Sequence, residues 1–409
     1  MGLVRIILAL AVLLGHAADQ SIFGFRLPNP AFAVEAFFIL SGFYMALVLD
    51  RTYRGPGSYL AFMTNRALRL YPIYWVVLLI TIPVVFVAAH FSRLPPDRPE
   101  ILWNASFLFP QLLNGAATLL LLPSHLLMLG QEFTYFFAID PGGLYDIREF
   151  AARQAASKNS LPLFAFLMVP QAWTLSFELI FYAMAPFLVR QRSRWIIALT
   201  LLSLATRGWI YLQPTLEPFT AYTYKFFPAE LWTFTAGVLA FRLYQTIQAR
   251  DLPAGRIAPL AAALPILALT YVYLPWMPAW LLLPLVALLV PALFTTMGAI
   301  EQRPKWARLA RVDRLLGDLS YPVYISHILV LQILYTFMPG LTDRLGRGLT
   351  PAVIAITLTA SFALLRLVGD PVERIRARNR QFAIRPSNRA ARRREERRKQ
   401  TPARRKAPR

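Results

Sequence analysis

The amino-acid sequence predicts an all-α integral membrane protein of about ten transmembrane helices, followed by a disordered, basic, cytoplasmic C-terminal tail. Three observations carry that prediction. The 409 residues are 57% hydrophobic with a mean hydropathy of +0.47, well above ordinary globular usage. The apolar residues fall in blocks of roughly 16 to 25, the length of a helix crossing a hydrocarbon core about 30 Å thick, whereas a barrel would show short alternating strands. Basic residues gather in a few loops and at the C-terminus, as the positive-inside rule requires of one membrane face. Cysteine is absent, which excludes disulfides, thiolate metal ligation and a cysteine nucleophile.

Taken in order, the blocks predict spans over residues 3–18, 32–49, 70–90, 161–189, 195–212, 224–244, 257–273, 280–296, 319–338 and 351–368. The first is not followed by a clean small-residue cleavage site and is read as a retained span, not a signal peptide. The linker 50–69 carries Arg51, Arg54, Arg66 and Arg69 and is assigned to the cytoplasm with the N-terminus. Stretches 190–194, 242–256 and 301–314 join it there by the same rule. Residues 101–129 are apolar too, but Asn104, Pro110, Asn114 and Pro123 interrupt them, and one more crossing would export every later basic loop. They are read as re-entrant, interfacial or at most a hairpin. Residues 131–160, with Pro141, Gly142 and Gly143, are expected to form an external loop with a short helix.

Residues 374–409 hold sixteen Lys and Arg against two Glu, nearly two thirds of the total charge of +22. With almost no apolar content they cannot build a core. The boundary is therefore drawn between a membrane domain, 1–372, and a tail, 373–409. The tail is expected either to hold anionic lipids of the cytoplasmic leaflet, at up to about 1 kcal/mol per basic residue, or to act only as an inside-retention signal. Specific nucleic-acid recognition is not expected, since such charge attracts phosphates without regard to sequence.

Polar groups inside the spans point to chemistry. Arg5 and His16 are eleven positions apart in one apolar run, three helical turns plus about 20°. They share a face and are separated by roughly 16 Å along the axis. Buried ionisable groups of this kind usually line a pocket or pathway; the blander reading is a snorkelling Arg5 and a packing His16. Arg66 and Arg69 share a face at the cytoplasmic start of the third span, where two guanidinium forks suit phosphate groups or merely set orientation. Glu178 stands in the run from Trp173 to Glu178, where a lone carboxylate is costly unless protonated or facing a cation; the alternative is an interhelical hydrogen bond. Ser320, Tyr324 and His327 fall at offsets 0, 4 and 7, a stripe of hydroxyl, phenol and imidazole on one helix face. His90 and His125 look interfacial. Four scattered histidines without a carboxylate cluster predict no metal site, and no Gly-rich phosphate loop is present. Two intramembrane histidines and a glutamate suit proton transfer in an enzyme or in a proton-coupled transporter alike.

At these residues the chain resembles the membrane-bound acyltransferase-3 family, whose polysaccharide O-acetyltransferases modify surface sugars. The resemblance covers about residues 2–378. It rests on Arg5 and His16 with ten residues between, the run from Glu35 through Ser41-Gly42-Phe43, Arg66 to Trp75, Trp173 to Glu178 with Phe181-Tyr182, Phe234-Thr235-Ala236-Gly237, and Ser320-Tyr321 to His327. The Trp-Thr-Leu form at Trp173 resembles the branch with exopolysaccharide acetyltransferases. Many members carry Asp at the place of Glu35 and a basic pair at the place of Asn65-Arg66. No fused extracytoplasmic hydrolase-like domain follows the tenth span, so the membrane domain, or a separate extracytoplasmic partner, would complete transfer. The resemblance implies transfer of an acyl group, most often acetyl, from cytoplasmic acyl-CoA to a hydroxyl of a surface polysaccharide or glycolipid, at a bacterial-type inner membrane with both termini cytoplasmic. His16 is then expected as general base or acyl relay with Glu178 orienting or charging it. Arg5, Arg66 and Arg69 are expected to bind the donor, and Glu35, Ser320, Tyr324 and His327 to complete the cavity. No bound cofactor is expected, acyl-CoA being a substrate. A proton-coupled transporter is the alternative; a lipid-linked sugar transferase is weaker, for want of an acidic diphosphate-binding cluster on an external loop.

Overall fold

Long apolar runs leave the backbone no partner but itself, and in the computed structural model they fold as helices. The structure describes residues 1–17, 21–55, 57–90, 115–156, 160–213, 220–273 and 279–384. In chain order the principal helices are α1 (Gly2–His16), α2 (Pro30–Arg51), α3 (Ser58–His90), α4 (Gly115–Leu127), α5 (Phe150–Ala156), α6 (Trp173–Leu188), α7 (Ser193–Tyr211), α8 (Thr220–Tyr224) and α9 (Phe227–Ala249). They continue as α10 (Ala254–Tyr273), α11 (Ala279–Glu301), α12 (Ala307–Phe337), α13 (Pro339–Leu345), α14 (Leu349–Leu364) and α15 (Asp370–Ile384). Among the described residues, six segments are long and apolar enough to cross a membrane: Pro30–Arg51, Ser58–Ala88, Ala254–Val272, Leu282–Glu301, Pro304–Phe337 and Leu349–Asn379. The protein is a predominantly helical membrane protein.

Local signals set the helix ends. Asn29 caps α2 by accepting the Phe32 amide at 2.8 Å, and Pro30 occupies the first turn, where its missing N–H costs nothing. The first turn of α1 is capped from another helix: the Asp313 carboxylate of α12 accepts the Gly2 and Leu3 amides at 2.8 and 2.9 Å. That close approach requires glycine, since a Cβ on Gly2 would lie 1.6 Å from the Asp313 carbonyl oxygen. α2 and α9 cross equally tightly. A Cβ on Gly42 would stand 2.0 Å from the Phe234 carbonyl oxygen, and one on Gly237 2.0 Å from that of Ile39, the small-residue contact by which membrane helices pack.

Two expectations need correction. The span expected over 161–189 is helical only as α6; residues 161–172 instead hold a short strand and two tight turns. Pro162 and Pro170 stand within that stretch, and proline breaks an intrahelical ladder. Second, the tail boundary at 373 falls inside α15, which continues to Ile384 and packs on α3. Its anchor is Arg376, which donates to the Asn65 carbonyl at 3.2 Å. The rest of the tail, 385–409, lies outside the described residues. So does 91–114, and the part of the ambiguous segment that is described is α4, a thirteen-residue helix. Tyr74 and Trp75 of α3 donate to the carbonyls of His125 and Leu126 at its end.

Residues 131–156 and 160–162 form a small layer over the end of the bundle where Trp173 lies. It contains the expected short helix, α5, and also a three-stranded antiparallel sheet, β1 (Phe137–Asp140), β2 (Gly143–Asp146) and β3 (Leu161–Pro162), in the order β2-β1-β3. Asp140 pairs with Gly143 across a two-residue turn, and the Asp140 side chain accepts the Gly142 amide at 2.8 Å.

Candidate active site

Six helices converge on a cavity of about 310 Å³, α2 among them with Ser41 and Tyr44. Each presents polar groups at helical spacing. From α3 come Arg66 and Arg69; from α6 come Thr174, Glu178 and Tyr182, one stripe at four-residue intervals; from α12 come Ser320 and Tyr324; from α1 comes Arg5 and from α15 Arg376. Thus four guanidinium groups meet one carboxylate. Arg66 is buried, lies over the rings of Phe62 and Tyr182 at 5.5 and 5.9 Å, and keeps its Nε without a hydrogen-bond acceptor. Glu178 accepts the Tyr182 hydroxyl at 2.7 Å. Ser320 donates to the Gly317 carbonyl at 2.7 Å within its own helix.

Tyr324 joins the cavity to a second centre. Its hydroxyl lies 2.8 Å from Thr174 Oγ1 and donates to the Gln171 carbonyl at 3.2 Å. Its ring stands 6.0 Å from that of His327, which in turn lies 5.4 Å from the ring of His16. The His327 Nδ1 is 2.7 Å from the Tyr324 carbonyl; a carbonyl only accepts, so Nδ1 carries the proton and the neutral ring presents Nε2 as a base. That Nε2 is buried and has no hydrogen-bond partner.

The candidate residues therefore separate into three places. Arg5, Arg66, Arg69, Glu178, Ser320 and Tyr324 line one cavity. His16 and His327 form a ring pair beyond Tyr324. The group standing against the His16 ring is thus another imidazole, while Glu178 faces the arginines. Glu35 is not brought to the cavity. It is 1% exposed and lies 2.6 Å from Arg207 of α7, which also pairs with Glu230 of α9. The face of α2 bearing Glu35 points to α7 and α9, while Ser41 and Tyr44 of the same helix point to the cavity.

Arg207, Glu230 and Arg376 were not among the expected site residues. The first two sit inside expected spans, so the rule that singled out Arg5 could have found them. For Arg376 the sequence offers no comparable signal, since it lies in a run rich in arginine.

Converging arginines and a pair of facing imidazoles thus lie within a helical membrane scaffold. The acyltransferase domain model of the acyltransferase-3 family matches residues 1–366, and the chain belongs to that family. It is an acyltransferase, which sets the transporter reading aside. An exopolysaccharide production protein, ExoZ, of Rhizobium meliloti (strain 1021) is 25% identical over 384 residues, covering 90% of this chain and 96% of that protein. No solved structure matches the chain.

Proposed function

We propose that the protein transfers an acyl group, most simply acetyl, from acyl-CoA entering the arginine cavity to a hydroxyl of a surface or exported polysaccharide or glycolipid. The observation that carries this reading is the linked pair of centres: a cavity with four guanidinium groups around one carboxylate, joined through Tyr324 to two facing imidazoles. The positive end suits the phosphates of CoA, held by bidentate, charge-assisted hydrogen bonds. His16 lies roughly 16 Å from Arg5 along α1, so a donor anchored by its phosphates would extend its thioester toward the histidines. The polysaccharide acceptor is supported by the name of the Rhizobium relative. A location in a bacterial-type inner membrane with about ten spans and cytoplasmic termini follows from the distribution of basic loops.

In this reading His16 takes the proton of the acceptor hydroxyl as its oxygen bonds to the thioester carbonyl carbon. The carbon–sulfur bond breaks, and the CoA thiolate receives the proton as it leaves. His327, with Nε2 available, holds the partner ring and shares the proton. Glu178 balances the arginines and takes the Tyr182 hydrogen bond, keeping the donor pocket in register.

The test is acyl transfer from labelled acetyl-CoA in membranes with matched protein levels. His16→Ala is expected to lower turnover by about 10²–10⁴-fold, the usual contribution of a general base, with donor affinity unchanged. Glu178→Gln, which keeps the shape and loses the charge, should be severely impaired. Near-normal transfer by His16→Ala would remove it from the chemistry.

A further inference from the structure

We infer that α15, the helix that follows α14, completes the donor site, with Arg376 as a phosphate-binding residue of the cavity. The inference rests on the acyl-CoA reading of that cavity and assigns it a residue from a segment that composition alone marks as a solvated tail.

The placement is built. A π-helical turn, Leu365–Gly369, joins α14 to α15, and such turns redirect a helix. α15 then lies on α3 at the residue preceding Arg66. Arg376 Nε donates to the Asn65 carbonyl at 3.2 Å, and Asn379 Nδ2 to the Asn65 side-chain oxygen at 3.3 Å. Residues 376 and 379 are three apart and share the docking face. Arg376 is 9% exposed, so this is no surface arginine, and it lines the cavity on one side. With Arg69 it also lines a neighbouring cleft of about 290 Å³. Tyr321 lines both spaces with them, and the cleft's other charged residues are Asp318, Asp370 and Glu373, so a phosphate meeting Arg69 and Arg376 together would sit on the arginine-cavity side.

Charge argues for a ligand and against a purely structural role. Four arginines line the cavity against one lining carboxylate, Glu178, so each guanidinium adds like-charge repulsion to the others. Glu373, one turn earlier on α15, pairs with Arg376 but is 47% exposed, so it screens the guanidinium weakly. Arg66, beside the docking point, is buried with an Nε that lacks an acceptor. An anion with several phosphate oxygens at this point would offer that Nε an acceptor and meet Arg376 beside it.

Purified full-length protein in detergent, titrated with acetyl-CoA and with phosphate-free S-acetylpantetheine, tests this. Arg376→Ala should weaken acetyl-CoA binding at least tenfold, about 1.4 kcal/mol, and leave S-acetylpantetheine within twofold. Arg376→Lys should recover part of the loss, keeping charge without the fork. Unchanged acetyl-CoA affinity in Arg376→Ala, or an equal loss for both ligands, would overturn the assignment, the latter showing that Arg376 only holds the fold. Absence of acetyl-CoA binding by the unsubstituted protein would instead overturn the donor reading itself.

Discussion

Arg66 and Arg207 are both arginines on apolar helices, and their surroundings differ in sign. Arg207 meets two carboxylates, Glu35 at 2.6 Å and Glu230, which are 1% and 0% exposed. None of the three lines the arginine cavity. Arg66 shares an open volume with Arg5, Arg69 and Arg376, and with Glu178 as the single carboxylate. Isolated charges are costly to bury, so each cluster has to be balanced. The first sets one guanidinium between two carboxylates of the chain itself and ties α2, α7 and α9 together. The second gathers four arginines around one lining carboxylate, the arrangement on which the proposed anionic donor rests. Opposite charges supplied by the chain, and not burial, distinguish the first cluster from the one proposed to bind the donor.

Removing the central guanidinium should break this contrast most severely. Arg207→Met leaves Glu35 and Glu230 facing each other without a counter-charge, and breaking a buried ion pair by deleting one partner costs about 3–5 kcal/mol. The expected result is a large fall in detergent Tm and in membrane yield, which acetyl-CoA does not restore, with the surviving folded fraction still binding donor. A variant as stable as the parent would show that this cluster does not hold the bundle.

Arg69→Ala should give the reverse signature. Charge-assisted hydrogen bonds contribute about 1.5–3 kcal/mol each, so acetyl-CoA affinity should fall roughly ten- to a hundredfold. Stability without ligand should hold or rise, because a like charge has been removed. Arg69→Lys should lie between, retaining charge but not the fork. Titration at fixed ionic strength, with Tm measured in parallel, reads both quantities; equal affinities across the three proteins would remove Arg69 from the donor site.

The contrast was half legible in the sequence. Arg5, Arg66, Arg69, Glu178, Ser320 and Tyr324 could be singled out because a helix repeats every 3.6 residues, so spacing alone says which side chains share a face. Spacing cannot say which faces meet. That is why Glu35, correctly marked as unusual, was expected in the cavity when its partners lie on α7 and α9, more than 150 positions away. It is also why His16 was expected to answer to Glu178 and not to His327. The strands at 137–146 have a signal in Asp140-Pro141-Gly142-Gly143, a turn sequence between apolar residues, but the runs on either side are only four residues long and read as loop. The extended reading of 161–189 failed because apolar content does not distinguish a helix in the membrane from a proline-broken stretch packed on top of it.

The smallest expected effect concerns the third concentration of charge, residues 385–409, with twelve Lys and Arg against two Glu. These charges have no apolar face with which to build a site, so their contribution should be long-range attraction to anionic headgroups, at up to about 1 kcal/mol per residue close to the surface and screened within a Debye length of about 8–10 Å. Truncation after Ile384 retains α15 and Arg376, and should leave acetyl-CoA affinity and turnover within about twofold while flattening the dependence on anionic lipid. Truncation after Gly369 removes Arg376 as well and should cost donor affinity. Comparing both proteins in liposomes with and without phosphatidylglycerol locates the functional boundary. If the protein ending at Ile384 is inactive in matched liposomes, the basic segment belongs to the active structure; if both truncations behave alike, α15 contributes nothing beyond the charge that follows it.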